Sequence, residues 1–299
     1  MRTLVLLLLA AFLAALAVST ARPAADATRG RIVFTSDRAG NFDIWSMRAD
    51  GSRQRRLTKT PRLEEHCPAW SPNGRSIAFT RRGVLPADLY VMRADGSHVR
   101  RVLKLRGDET CPRWSPDGRR LVFVRMDNTL PKPIHSVYTV GVNGKGLRKL
   151  SPIEEAWEIA DWGRNGRIVF ESTQPQETGL NIWSMRVDGA GRREVAGETT
   201  DANLRHPHWS PDGGRIVFTD DADGREQLWT MNADGSGMAA VTHGAVGSIE
   251  PGWSPDGRKV VYATAVGAGL PEIFVANADG TGARRLTHSR RIDKEPDWR

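Results

Sequence analysis

Side chains able to act as acids, bases or metal ligands recur in this sequence just ahead of regularly spaced tryptophans. They stand three to five residues before a tryptophan: Glu65, His66, Cys67, Glu109, Cys111, Glu158, Arg205, His206, Glu250 and Glu295. Carboxylates and imidazoles can transfer protons in catalysis or bind a metal ion. No Gly-x-Ser-x-Gly, Cys-x-x-Cys, phosphate-loop or His-Glu-x-x-His motif accompanies them. Whether they form a site therefore depends on how the chain arranges the tryptophans.

The tryptophans mark an internal repeat. Those at positions 70, 114, 162, 209, 253 and 298 are 44 to 48 residues apart, and four of them begin the sequence Trp-Ser-Pro-Asp-Gly or Trp-Ser-Pro-Asn-Gly. An Asp-Gly or Asn-Gly pair recurs with the same period, from Asp50-Gly51 to Asp279-Gly280. Periods of this length are typical of β-propellers, in which each repeat forms one blade.

One repeat, residues 250–287, predicts the strands of a blade. A short strand ends at Trp253 and is followed by a Pro-Asp-Gly turn, a nearly apolar second strand, a third strand, an Asp-Gly turn and a short outer strand. Four antiparallel strands are the unit of a propeller blade. The chain lacks a tryptophan strand before Ile32, and Glu295–Trp298 supply one at the other end. We therefore predict an all-β, six-bladed propeller over residues 30–299, closed by the C-terminal strand completing blade 1.

The first residues have a different character. Arg2 precedes fifteen residues without a polar side chain, and small residues and proline follow. This pattern predicts a secretory signal peptide over residues 1–21, and its apolar run is too short for a membrane span. Residues 22–29 are then a short linker. We expect an exported protein, periplasmic or extracellular, with no stable membrane span after the signal is removed.

The two cysteines occupy the same position in adjacent repeats. A disulfide between Cys67 and Cys111 is the prediction, because disulfides persist in secreted proteins and equivalent positions on neighbouring inner strands can approach closely enough. Free buried thiols and a metal or redox role are the alternatives.

The charge of +8 includes arginine pairs such as Arg55-Arg56 and Arg284-Arg285. They recur at one position of the repeat and are spread around the ring, so we do not expect nucleic-acid binding.

The repeat also places the candidate site. Loops from second to third strands and between blades emerge at one end of the ring, which we call the loop face. The Ser-Pro-Asp-Gly and Asp-Gly turns emerge at the other end, the turn face. Residues before each tryptophan begin the innermost strands, so the ten residues above should surround the channel mouth on the loop face, where variable loops commonly carry function. A solvated polar rim without a ligand is the alternative.

Two chemical interpretations of that mouth remain. A metal could be bound by His66, His206, Glu250 and Glu295, but these come from different blades without a short ligand spacing, and we predict no metal and no cofactor. A lyase or hydrolase site built from His206, Glu250 and Glu295 would also leave no local motif. We lean towards a non-enzymatic protein and keep the enzyme, acting on a glycan or small ligand, as the alternative.

The motifs resemble one family. The Pro-x-Trp-Ser-Pro-Asp-Gly turn, the Ile-Val-Phe second strand, the Asp-Gly-Ser turn and the closing Arg-Leu-Thr are similar to the WD40-like, Pro-Asp-type propeller repeats of the TolB family, over about residues 30–299. The resemblance implies a periplasmic protein related to the bacterial Tol-Pal system. From it we expect a monomer that binds an envelope or extracellular protein or peptide through the loop face and channel mouth.

Overall fold

Twenty-four strands of two to eight residues are found in the part of the chain that the computed structural model describes. It describes residues 30–84, 86–128, 134–151, 156–173, 179–197, 203–267 and 269–299, with the backbone alone at 156–158. The predicted signal peptide and linker, residues 1–29, lie outside these ranges. The described residues contain no helix that is long and apolar enough to cross a membrane.

The strands form six four-stranded antiparallel sheets, each of which is one blade. From the innermost strand outward, the blades contain: β24 (Asp293–Trp298), β1 (Arg31–Ser36), β2 (Asp43–Arg48) and β3 (Arg55–Arg56); β4 (Glu64–Trp70), β5 (Ser76–Arg82), β6 (Asp88–Arg93) and β7 (Arg100–Arg101); β8 (Asp108–Trp114), β9 (Arg120–Asp127), β10 (Ile134–Gly141) and β11 (Arg148–Lys149); β12 (Ala156–Trp162), β13 (Arg167–Ser172), β14 (Asn181–Arg186) and β15 (Arg193–Ala196); β16 (Leu204–Trp209), β17 (Arg215–Asp220), β18 (Gln227–Asn232) and β19 (Ala239–Ala240); β20 (Ser248–Trp253), β21 (Lys259–Ala265), β22 (Pro271–Asn277) and β23 (Arg284–Arg285).

The C-terminal strand closes the ring as predicted. β24 pairs with β1 in antiparallel register, with Ile32 opposite Trp298 and Val33 opposite Asp297. The backbone N–H of Arg299 also donates to the carbonyl of Arg31 at 2.8 Å. Pairing the last strand with the first leaves no unpaired inner edge at the seam, which is how closed β structures avoid exposed edges. The six-bladed all-β prediction is confirmed.

The hydrophobic core lies between neighbouring blades. The second strands supply Phe34, Phe79, Phe123, Phe170 and Phe218, all of which are essentially inaccessible to solvent. Each packs in a cluster that combines residues of two adjacent blades, as Phe34 does with Val261 and Ile273 across the seam. Because both faces of a blade are covered in this way, its second strand is apolar at almost every position.

The Ser-Pro-Asp-Gly turns are held by their own side chains. The Ser115 hydroxyl donates to Asp117 Oδ1 at 2.6 Å and accepts the backbone N–H of Arg120 at 2.9 Å. Gly118 has a φ of 69°, a conformation that glycine adopts without strain, and its N–H donates to the Ser115 carbonyl. Blade 4 has Gly163 in place of the serine and therefore lacks the hydroxyl bonds.

The Asp-Gly turns contact the preceding blade. A Cβ at Gly96 would lie 2.7 Å from the carbonyl oxygen of Leu57, so glycine is needed for close approach as well as for its φ of 87°. An outer-strand arginine also donates across this boundary to a backbone carbonyl of the next blade's turn. The donor and acceptor residues are Arg55 and Asp95, Arg100 and Val142, Arg148 and Asp188, Arg193 and Ala233, and Arg284 and Asp50. Blade 5 has Ala239 at this position.

Candidate functional site

All six innermost strands shift their pairing register with the second strand shortly before the tryptophan. In five of them the residue three positions before the tryptophan has a φ between 46° and 54°: Cys67, Cys111, His206, Glu250 and Glu295. Left-handed φ is uncommon outside glycine, and such residues cluster where a structure must aim a side chain. A bulge reorients the side chain of the extra residue.

These five residues and Ile159, which holds the equivalent position in blade 4, come together at the centre of the ring. One small cavity of about 40 Å³ on the ring axis is lined by Cys67, Cys111, Ile159, His206, Glu250 and Glu295, and we call these six residues the neck. Cys67 and Cys111 are joined by a disulfide whose Cα atoms are 4.9 Å apart, and Ile159 packs against it. The neck narrows the channel between a cavity on the loop face and another on the turn face.

The loop-face cavity has a volume of about 360 Å³. His66, Glu250, Lys294 and Glu295 line it together with residues of blades 2 and 3, among them Arg82 at the end of β5. His66, Glu250 and Glu295 were candidates from the sequence, whereas Lys294 was not. Its signal was available, because it stands four residues before Trp298, as His66 does before Trp70.

The other candidates lie elsewhere. Glu65 and Glu109, five residues before their tryptophans, are fully buried and do not line the cavity. Glu65 accepts a bond from Arg81 Nε at 2.8 Å, and Glu109 lies 3.8 Å from Arg125 Nε. Residues five and three before tryptophan would share a face in a regular strand, but the bulge breaks the alternation. Arg205 is half-buried outside both cavities, and Glu158 lies in β12 where only the backbone is described.

Glu295 is held as a carboxylate by its neighbours. Its Oε2 accepts the backbone N–H of Cys67 at 2.7 Å and the Thr35 hydroxyl at 2.6 Å, and its Oε1 lies 3.0 Å from Lys294 Nζ. Burial opposes its ionisation, but the hydrogen bond from His66 and the charge of Lys294 outweigh burial and lower the pKa of Glu295. The same pairing raises the pKa of His66 against the opposing effect of burial.

Glu250, the equivalent residue one blade earlier, has the opposite shift. Its Oε2 accepts the backbone N–H of Glu295 at 2.7 Å. Burial, followed by the negative charge of Glu295, raises the pKa of Glu250. Two carboxyls that share one site cannot both ionise without cost, so the proton is held preferentially on Glu250. The pair therefore consists of one carboxylate and one carboxyl that favours its neutral form.

Metal ligation has no geometric support in the described residues. No group of three or more histidine, cysteine or acidic side chains there is arranged to hold a metal ion. The candidate ligands of the neck are already committed to backbone N–H groups or to each other, as with Glu250, Glu295 and the disulfide. The arrangement can present charges to a ligand and, through the split pair, could exchange a proton.

A second and larger cavity, which sequence reasoning missed, opens on the turn face. Its volume is about 690 Å³, and its wall contains all six repeat tryptophans and the prolines of the turns. Its floor is formed by the residues that directly precede the tryptophans: Ala69, Arg113, Asp161, His208, Gly252 and Asp297. These residues could have been found by counting back one position from each tryptophan instead of three.

A closed ring of six four-stranded blades, with a channel narrowed at its centre, defines this protein as a six-bladed β-propeller. The family model described as the TolB beta propeller domain matches residues 62–235, more than half of the chain. The chain belongs to that family, which confirms the resemblance seen in its motifs.

Solved structures share the fold at low identity. TolB from Acinetobacter baumannii is 17% identical, with a TM-score of 0.79 over 91% of this chain and 67% of that one. An oligogalacturonate lyase from Vibrio parahaemolyticus is 14% identical, with a TM-score of 0.59 over 85% of this chain and 73% of that one. A chain of the nidogen/laminin complex is 9% identical, with a TM-score of 0.68 over 90% of this chain and 98% of that one. At such identities the likeness shows the fold alone.

Proposed function

We propose that this protein is an exported, non-enzymatic propeller of the cell envelope that binds a protein or peptide at the loop-face cavity. The observation that carries the proposal is that both carboxyls of the acidic pair are engaged in hydrogen bonds to the backbone. Glu250 and Glu295 accept the backbone N–H groups of Glu295 and Cys67, so each carboxyl ties one innermost strand to the next. A catalytic acid or base needs to reach the reacting atom, whereas these groups are bound to the framework.

The lining of the cavity suits recognition. Lys294 is a cation beside the Glu295 carboxylate, Arg82 lines the same cavity, and His66 packs its ring 4.9 Å from that of Phe42. Charged groups of both signs around a partly apolar wall match a peptide segment, whose backbone and side chains offer donors, acceptors and apolar surface. The presence of a chain of similar fold in the nidogen/laminin complex agrees with this role.

The test uses a photo-crosslinking amino acid in place of Arg82. Its matched control is the same replacement at Arg258, an exposed arginine at the Ser-Pro-Asp-Gly turn of blade 6 on the opposite face. In living cells, the Arg82 position should crosslink to one envelope protein or peptide, and the Arg258 position should not give that product. An identical set of products from both positions, or none from Arg82, would contradict the proposal.

The alternative function is a lyase or hydrolase, and one observation favours it. Glu250 and Glu295 are neighbouring carboxyls with pKa values shifted in opposite directions, the pattern of an acid and base pair. The similar fold of an oligogalacturonate lyase suggests the first substrate to try. Release of unsaturated product from oligogalacturonates, with and without divalent metal ions, and its loss in Glu250→Gln would replace binding by catalysis as the function.

A further inference from the structure

The floor of the turn-face cavity contains a buried arginine, Arg113, whose hydrogen-bond donors are only partly used. Arg113 projects from β8 into the ring, is 8% exposed, and lines both the turn-face cavity and the neck. Its Nη1 donates to the Pro112 carbonyl at 3.3 Å and one Nη2 hydrogen points to His208 Nε2 at 3.5 Å. Among the residues that the structure describes, its Nε has no hydrogen-bond partner. A guanidinium has five N–H donors, so most of this buried cation's donors are unused.

The carboxylates nearest to Arg113 are engaged elsewhere. Asp161 accepts the backbone N–H groups of Trp209 and Trp162, both at 2.9 Å, and Asp297 accepts that of Trp70 at 2.7 Å. Within the described part of the chain, neither lies within the usual 4.0 Å ion-pair limit of Arg113. Burial acts to raise the pKa of both carboxyls and the charge of Arg113 acts to lower it, so that the pKa of Asp161 is lowered overall and that of Asp297 is raised. Buried charges are ordinarily paired, because burial without a partner costs several kcal/mol.

His208 holds the guanidinium in place without adding charge. Its Nδ1 faces Asp161 Oδ2 at 3.6 Å, which leaves Nε2 to accept from Arg113. Burial, and then the positive charge of Arg113, lower the pKa of His208, against the effect of Asp161. The imidazole is therefore neutral at neutral pH, and Arg113 is the one cation on the floor.

The wall above the floor combines apolar and charged side chains. The six tryptophans and the turn prolines Pro72, Pro116, Pro211 and Pro255 line it, together with Arg164, Asp212, Asp256 and Arg299 nearer the surface turns. A cavity of about 690 Å³ is within the range that binds small molecules or a few residues of a peptide. The ligand that fits is an anion with an apolar group attached. A planar monoanion suits better than a phosphate, because its carboxylate matches the guanidinium fork and the repulsion by the Asp161 carboxylate increases with the charge of the ligand.

We infer that the turn-face cavity is a second binding site, in which the Arg113 guanidinium takes a carboxylate and the tryptophan and proline wall takes the apolar group attached to it. The carboxylate can belong to a small organic acid or to the C-terminus of a peptide. This site lies across the neck from the loop-face cavity and does not depend on the function proposed there.

Isothermal titration of the full chain, purified as the cell processes it, tests the inference. The probes are acetyl-Ala-Ala-Phe with a free C-terminus, the same peptide as its amide, benzoate, and inorganic phosphate. The free acid should bind saturably, and its amide about 10- to 100-fold more weakly, the loss expected for a charge-assisted hydrogen bond in a buried site. Phosphate should not compete. Benzoate binding as tightly as the peptide acid would identify a small acid as sufficient, and much tighter peptide binding would identify a C-terminus.

Variants locate the site. Arg113→Gln should lose the preference for acid over amide, and Arg82→Gln, which removes an arginine from the loop-face cavity, should keep it. If Arg113→Gln does not fold, Arg113→Lys retains the charge without the planar fork and should reduce the preference several-fold. Equal binding of acid and amide by the parent protein, an unchanged preference in the Arg113 variant, or no saturable carboxylate binding would overturn the inference.

Discussion

Replacing either member of the neck's acidic pair by glutamine should change stability in opposite directions. Glu250 and Glu295 occupy the same position of adjacent repeats, share a left-handed backbone and each accept one backbone N–H from the next strand. Glutamine keeps the size and an acceptor oxygen while removing the charge. Because the fold lowers the pKa of Glu295 and raises that of Glu250, neutralising Glu295 should destabilise the protein and neutralising Glu250 should stabilise it.

The contacts set the magnitudes. Two hydrogen bonds to the Glu295 carboxylate, from Cys67 and Thr35, would become neutral bonds of roughly half the strength, a loss of about 1 kcal/mol each. The lost attraction to Lys294 and His66 brings the cost of Glu295→Gln to about 2–3 kcal/mol. Glu250→Gln retains the hydrogen bond from the Glu295 N–H. It removes the repulsion between the two carboxylates and the cost of burying a charge, a gain in stability of about 1 kcal/mol.

Urea unfolding of both variants at several pH values measures these differences. The stability that Glu295 contributes is present above the ordinary glutamate pKa of about 4.3 and is lost as the pH falls towards its lower folded pKa, so the cost of Glu295→Gln should shrink in acid. The fold favours the protonated form of Glu250, so the gain from Glu250→Gln should be largest at high pH. Changes of the same sign at pH 7, or a larger cost for Glu250→Gln, would refute the assignment of the charge.

Three further changes test the framework. Burial, followed by the charge of Asp88, raises the pKa of Glu109 to about 8, so stability should fall as the pH rises from about 4.3 to 8. Glu109→Gln should therefore raise the unfolding temperature at pH 8 but not at pH 5, and equal shifts would contradict this. Ala239→Arg should supply blade 5 with the missing hydrogen bond from an outer-strand arginine to the next blade and stabilise the protein by about 0.5–1 kcal/mol. Arg193→Ala should destabilise it by as much, both measured by thermal unfolding. Replacing Cys67 and Cys111 by alanine should cost about 4 kcal/mol, because the bridge closes a 44-residue separation; an unchanged urea midpoint would argue against a stabilising bridge.

The repeat could be predicted because its marker residues stabilise the turn in which they lie. In Ser115-Pro116-Asp117-Gly118 the proline presets φ, the aspartate binds the serine hydroxyl, and the glycine adopts a positive φ. These interactions lie within a few residues, so they recur wherever the motif recurs. The spacing of such turns then determined the number of blades, and the unmatched strands at the two ends determined how the ring closes.

The candidate site was predictable only in part. Counting back three residues from each tryptophan located the whole neck, including the cysteines that the structure joins. Counting back five residues placed Glu65 and Glu109 at the mouth, although the structure buries them beside Arg81 and Arg125. The bulge that separates these two groups is a backbone feature, and the sequence shows it only indirectly, through a proline after the bulged residue.

The sequence alone determined the repeat, the four strands of each blade, the closure of the ring and the family. Each of these depends on turns and alternations between residues that are close in the chain. The tertiary structure alone decided which charges meet. Arg113, Asp161, His208 and Asp297 come from four different blades and are successively separated by 47 to 89 residues along the chain, so their distances depend on how the ring narrows. The opposite pKa shifts of Glu250 and Glu295 depend likewise on burial and on side chains of other blades, His66 for Glu295 and Glu295 for Glu250, which act through space and not along the chain.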